Sequence, residues 1–138
     1  MNASTGPFPA ALEQFVLLFN QEAFWHSHEV LEDSWREHGS EFYHGLILYA
    51  SAFVHAQRGN AHGVRAQLVK AERALQAFRP SYLGVDVESI LGHAAVCRKA
   101  VEVHPDETGG RWRKAIRYPT VELKSAHLRG DEPERIGG

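Results

Sequence analysis

The side chains best suited to chemistry lie in one run, Phe24-Trp25-His26-Ser27-His28-Glu29-Val30-Leu31-Glu32-Asp33-Ser34-Trp35-Arg36. On a helical wheel at about 100° per residue, His28 and Glu32 fall within the apolar arc of Phe24, Trp25, Leu31 and Trp35. Glu29 lies further round, beside Trp25 and Arg36, while Glu22, His26 and Asp33 point away toward solvent. A carboxylate set between two tryptophans is costly to bury unless it is paired, protonated or bound to a metal. That cost marks the run as a candidate site.

Two chemistries fit it. His28 and Glu32 are spaced i, i+4 and Glu29 and Glu32 i, i+3, so both pairs meet on one helix face. Helical bundles build metal centres from such pairs, with further ligands from a facing helix. His55 is the candidate there, and His44, eleven residues earlier, shares its face. The ligand set is then His28, Glu32 and His55, with Trp25, Trp35 and His44 as pocket walls. Imidazole and carboxylate donors suit a divalent zinc, manganese, iron or nickel ion. Hydrolysis would need an open coordination position for water, with Glu29 as general base. The other reading has no cofactor. His28, Glu32 and His55 form a buried hydrogen-bond network that fixes helix register, and Glu32 accepts from a tryptophan N–H. The spacing is not that of the zinc proteases, which place two histidines four apart with a glutamate after the first. There is no glycine-serine nucleophile elbow, no phosphate-binding glycine loop, and no cationic neighbour in sequence to activate Cys97.

The elements that would position these residues are helices. Pro9 suits a helix start, and Leu12, Phe15, Val16 and Phe19 carry helical spacing through Ala10 to Phe19. Asn20 punctuates this helix and can cap a second one, Gln21 to His38, which Gly39 stops. Ser40 can cap a third, Glu41 to Arg58, apolar almost all round except for His44, Ser51, His55 and Arg58; such a helix is central in a bundle. Gly59-Asn60 turns the chain into a fourth, Ala61 to Phe78, ended by Arg79-Pro80. After a loop, Asp86 caps a fifth helix to about Val103. Tyr118 to Leu123 reads as an extended arm laid on the body, and Ala126 to Gly138 as disordered. The expected architecture is all-α: a compact bundle of about five helices, residues 1–104, with residues 105–138 as C-terminal arm and tail.

Bulk properties narrow the partners. The chain has 138 residues and a formal net charge of -2, so no global field draws in nucleic acid or an anionic membrane. The single cysteine excludes an internal disulfide and a cysteine-rich zinc site. No signal peptide is visible at Met1 to Pro9, and Gly45 to Val54 is too short to cross a bilayer; a cytoplasmic protein is expected. Arg111-Trp112-Arg113-Lys114 and Arg117-Tyr118 interleave basic and aromatic residues, a pattern that binds single strands in longer and more basic chains. Packing of Trp112 on the bundle is the commoner outcome.

The second and third helices resemble the domain-of-unknown-function 309 family, small all-helical proteins of bacteria and archaea. The resemblance rests on Phe19-Asn20, Phe24-Trp25, His28-Glu29-Val30-Leu31-Glu32, Trp35-Arg36, Gly45-Leu46-Ile47, Ala50, Ala52, His55, Arg58-Gly59-Asn60 and Gly84-Val85-Asp86, and runs from about Phe15 to Lys99. It departs from the family at His44, where glutamine is usual. It implies a helical bundle and carries the label of predicted metal-dependent hydrolase, which rests on the polar motif. The alternative is a non-enzymatic interaction or scaffold module. The partner is then a small molecule, a protein or a second copy in a homodimer, and not a membrane.

Overall fold

The computed structural model describes residues 8–103 and 111–128. Among these, six α-helices follow one another: α1 Ala10–Asn20, α2 Phe24–His38, α3 Glu41–Gln57, α4 Ala61–Leu75, α5 Val87–Val103 and the short α6 Arg111–Ala115. The fold is the expected all-α bundle. Its only strands among the described residues are the two-residue β1 Ser81–Tyr82 and β2 Val85–Asp86, paired antiparallel. They fall where a plain loop was expected. Their turn needs two left-handed residues, and Leu83 (φ 52°) and Gly84 (φ 89°) provide them.

Local chemistry sets most helix ends. The Ser40 hydroxyl accepts the Tyr43 N–H to start α3, Asn60 accepts the Gly63 N–H to start α4, and Asp86 accepts the Ser89 N–H to start α5. Gly39 closes α2 in the left-handed conformation. The α2 start departs from expectation. The helix begins at Phe24, after a turn in which Glu22 is left-handed (φ 63°), and Ala23 gives no side-chain cap.

The cap was assigned to Asn20, but its side chain has a distant partner. Its amide donates to the Val121 carbonyl (2.9 Å) and its carbonyl accepts the Val121 N–H (2.8 Å). This clasp holds the C-terminal segment. Lys124 N–H donates to the Gly84 carbonyl and Gly84 N–H to the His127 carbonyl, while Trp112, Ile116 and Val121 are buried. The arm expected at Tyr118 to Leu123 is therefore laid on the body. Of the tail expected to be disordered from Ala126 on, Ala126 and His127 belong to the 3-10 turn Ser125–His127, and residues 129–138 lie outside the described residues, as does the 104–110 linker. Arg113 donates to the Gln57 carbonyl at the end of α3, a favourable place for a cation.

The core centres on α3, which buries Phe42, Leu46, Tyr49, Ala50, Phe53 and Val54. The Leu75 side chain of α4 packs directly on Gly45 of α3, where a Cβ would stand 2.6 Å from Leu75 Cδ2 and 2.8 Å from its Cγ. The glycine is thus a packing requirement. We expect Asn20→Ala to leave the bundle folded and to free the arm. The variant removes two hydrogen bonds, at about 1 kcal/mol each. Hydrogen exchange at Val121 and Lys124 should accelerate at least tenfold while α3 amides keep their protection; uniform acceleration would mean that the clasp serves the whole fold.

Candidate functional site

The α2 run does not sit as the wheel placed it. The buried stripe of α2 is Phe24, Ser27 and Leu31; the Ser27 hydroxyl donates to the Phe24 carbonyl, which lets a serine enter the core. Trp25, expected within the apolar arc, is 47% exposed. Glu32 therefore lies at the margin of the core, with its side chain 29% exposed and 3.6 Å from Arg36. The burial cost that made it suspect is largely absent. Glu29 is exposed and pairs with His26 at 3.5 Å.

The histidines are held by rings and amides. His28 stacks on Trp25 with ring centroids 5.1 Å apart, and its buried Nδ1 has no hydrogen-bond partner among the described residues. Arg58 lies over the Trp25 ring, 5.7 Å from its centroid, within cation–π range. His44 lies flat on Trp35 at 4.4 Å and 3°, with Glu41 3.6 Å away. His55 turns toward the start of α4. The Asn60 amide donates to His55 Nδ1 at 3.1 Å, and a Cβ on Gly63 would meet the imidazole. Its second nitrogen is then the protonated one.

The expected ligands are not gathered into one cluster. Among the described residues no group of three or more His, Cys, Asp or Glu side chains is placed to hold one. Of the expected ligands, Glu32 faces Arg36 and His55 uses its Nδ1 on Asn60. What the face does present is a half-exposed tryptophan between His28 and Arg58, with Trp35 and His44 stacked on each other.

A second constellation was not legible. A cavity of about 390 Å³ lies between α5 and the arm, lined by Ser89, Ile90 and His93 of α5 with its cap Asp86, by Tyr49 from α3, and by arm residues from Pro119 to His127. His93 organises it. Its Nε2 is 2.8 Å from the Arg117 carbonyl, which can only accept, so Nε2 carries the proton and Nδ1 accepts from the Tyr49 hydroxyl at 2.9 Å. Burial pushes the His93 pKa down, against the opposing pull of the Arg117 carbonyl, and raises that of Tyr49 well above a free phenol. Cys97 lies one turn along, with Sγ 3.6 Å from His93 Nε2, but burial pushes the thiol up to about 11. It is a core side chain, and burial disfavours its thiolate.

Comparison with known proteins found one family match. Residues 12–67 match the family Domain of unknown function (DUF309). The resemblance seen in the sequence is thus shown from α1 into α4. The matched stretch stops short of Lys99, so the hairpin, α5 and the arm lie outside the DUF309 segment, which holds the α2 run, His44 and His55. Neither the curated proteins nor the solved structures gave a match. Among the described residues no helix is long and apolar enough to cross a membrane.

Proposed function

We propose that the DUF309 segment is a non-catalytic docking module whose α2 face receives a cationic segment of a partner protein. The observation that carries this reading is Trp25, half exposed and already covered by a guanidinium from Arg58. With His28 stacked on the ring and Arg58 over it, a partner's guanidinium would take the place of Arg58 on the indole. Charge supports it. Glu29, Glu32, Asp33 and Glu37 stand on α2 against Arg36, a concentration of negative charge out of proportion to the chain's -2. Complementary charge raises the association rate and selects against acidic partners. The hydrolase reading of His28, Glu32, His55 and Glu29 has less support, since ligands that already hold Arg36 and Asn60 would have to be released first.

The test is anisotropy of a fluorescein-labelled nona-arginine peptide titrated with the full chain. Binding should weaken at least tenfold in Trp25→Ala and in Glu29→Gln/Asp33→Asn, and weaken with salt. Absence of binding, or loss in the charge variant alone with Trp25→Ala unaffected, overturns the docking face. Elemental mass spectrometry of untagged protein incubated with zinc, manganese and iron should find no stoichiometric metal. Near-stoichiometric metal, absent from His28→Ala, would restore the metal-dependent hydrolase.

A further inference from the structure

The cavity under the arm lies outside the matched segment save for Tyr49, and the docking reading makes no use of it. We propose that it is a binding site for a small zwitterion of the free amino-acid class.

The site is built from three directions. Asp86, Ser89, Ile90 and His93 recur at i, i+3, i+4 and i+7, so the α5 cap and one stripe of α5 form a continuous wall. Tyr49 and His93, tied by their hydrogen bond, give a rigid floor. The arm supplies the opposite wall and is fixed at both ends of the contact, by Asn20 on Val121 and by Gly84 on Lys124 and His127. Its 390 Å³ is at the small end of ligand cavities, suited to a molecule below drug size.

The lining selects the chemistry. Carboxylates come from both sides, Asp86 at the α5 cap and Glu122 on the arm, and either can receive an ammonium group. Lys124 lines the same cavity and can receive a carboxylate. In the free protein Lys124 and Glu122 stand 3.5 Å apart, both well exposed, a weak pair that a ligand bearing both charges can exchange without leaving either side chain uncompensated. His127 also lines the cavity, and its buried Nδ1 has no hydrogen-bond partner among the described residues, a deficit that a polar ligand atom would remove. Ile90, Pro119 and Val121 leave an apolar portion for a side chain. A simple anion would face two carboxylates, and a simple cation would face Lys124; only a ligand with both charges meets each with its opposite. His93, neutral and committed to Tyr49 and Arg117, is a positioning residue of the wall.

The experiment is an amide ¹H–¹⁵N correlation titration of the full chain with pools of the twenty amino acids at millimolar concentration, followed by single compounds. Saturable shifts should concentrate at residues 86–93 and 119–127. Lys124→Met should weaken binding at least tenfold, and Asp86→Asn, which keeps an α5 cap, at least threefold, both with unchanged thermal midpoints. Acetate, propylamine and glycerol serve as probes of the separate chemistries. If any of these binds as tightly as the best amino acid, the zwitterion assignment is wrong. If no probe shifts these amides, or if shifts persist unchanged in both variants, there is no such site.

Discussion

Phe53→Ala is expected to lower the stability of the fold by about 3–5 kcal/mol, the cost of truncating a fully buried phenylalanine in a core that cannot collapse around the void. The reason lies in how many elements meet at this ring. Phe53 contacts Phe19 of α1 edge-on at 6.1 Å, Phe24 of α2 at 5.3 Å, Tyr49 one turn back at 5.1 Å, His93 of α5 at 5.9 Å and Tyr118 of the arm at 6.0 Å. Aromatic pairs at such separations contribute beyond the area they bury. With total stability on the order of 5–15 kcal/mol, the loss is a large fraction of the whole. Urea denaturation followed by far-ultraviolet circular dichroism measures it, with Phe53→Leu as the conservative control expected to lose less than half as much. A loss below about 1 kcal/mol for the alanine variant would mean that α1, α5 and the arm do not converge on this ring.

The parts of this architecture that were readable are those decided within a few residues. Ser40, Asn60 and Asp86 cap helices because an oxygen three residues upstream of an orphan N–H is a local geometry, and α3 is central because its sequence is apolar on nearly every side. What failed was decided at a distance. Asn20 has the side chain of a cap, yet it bonds Val121, 101 residues away, and the α2 start moved accordingly. The rotation of α2 failed for another reason. A wheel counts tryptophan as apolar and serine as polar, but Ser27 satisfies its hydroxyl on Phe24 and enters the core, while Trp25 stays half exposed beneath Arg58. Glu32 went with it, from an expected buried site to the margin. The cavity had no local signature at all. Its walls come from Tyr49, from residues 86–93 and from residues 119–127, and the hydrogen bonds of His93 reach 44 residues back and 24 residues forward. The helical spacing of Asp86, Ser89, Ile90 and His93 was present, but three polar residues on such a stripe read as a solvent face until the arm is known to cover them.

His93 should give the second large effect, and one that depends on pH. Removing the ring in His93→Ala leaves the Tyr49 hydroxyl buried without its acceptor and the Arg117 carbonyl without its donor, at an expected cost of about 2–3 kcal/mol. His93→Gln, whose amide can both donate to the carbonyl and accept from the hydroxyl, should recover at least half of this. In the wild type, burial holds the folded pKa of His93 below its ordinary value of 6.5. Above pH 6.5 the ring is neutral in both folded and unfolded chains, and its contribution to stability is fully present. As the pH falls below 6.5 the unfolded chain takes up a proton that the folded chain refuses, so stability is lost, with a limiting slope of about 1.4 kcal/mol per pH unit for one group. The loss levels off once the pH has passed through the lower folded value. The other histidines and the carboxylates titrate in both proteins, so the measurement is the difference in unfolding free energy between wild type and His93→Gln from pH 8 to pH 5. That difference should be flat above pH 7 and move against the wild type below 6.5. A difference that stays flat throughout would mean that His93 is solvated and that the wall it gives the cavity is open, whereas a difference of the opposite sign would mean that a charged imidazolium, donating to Tyr49 as well as to Arg117, is the form the fold prefers.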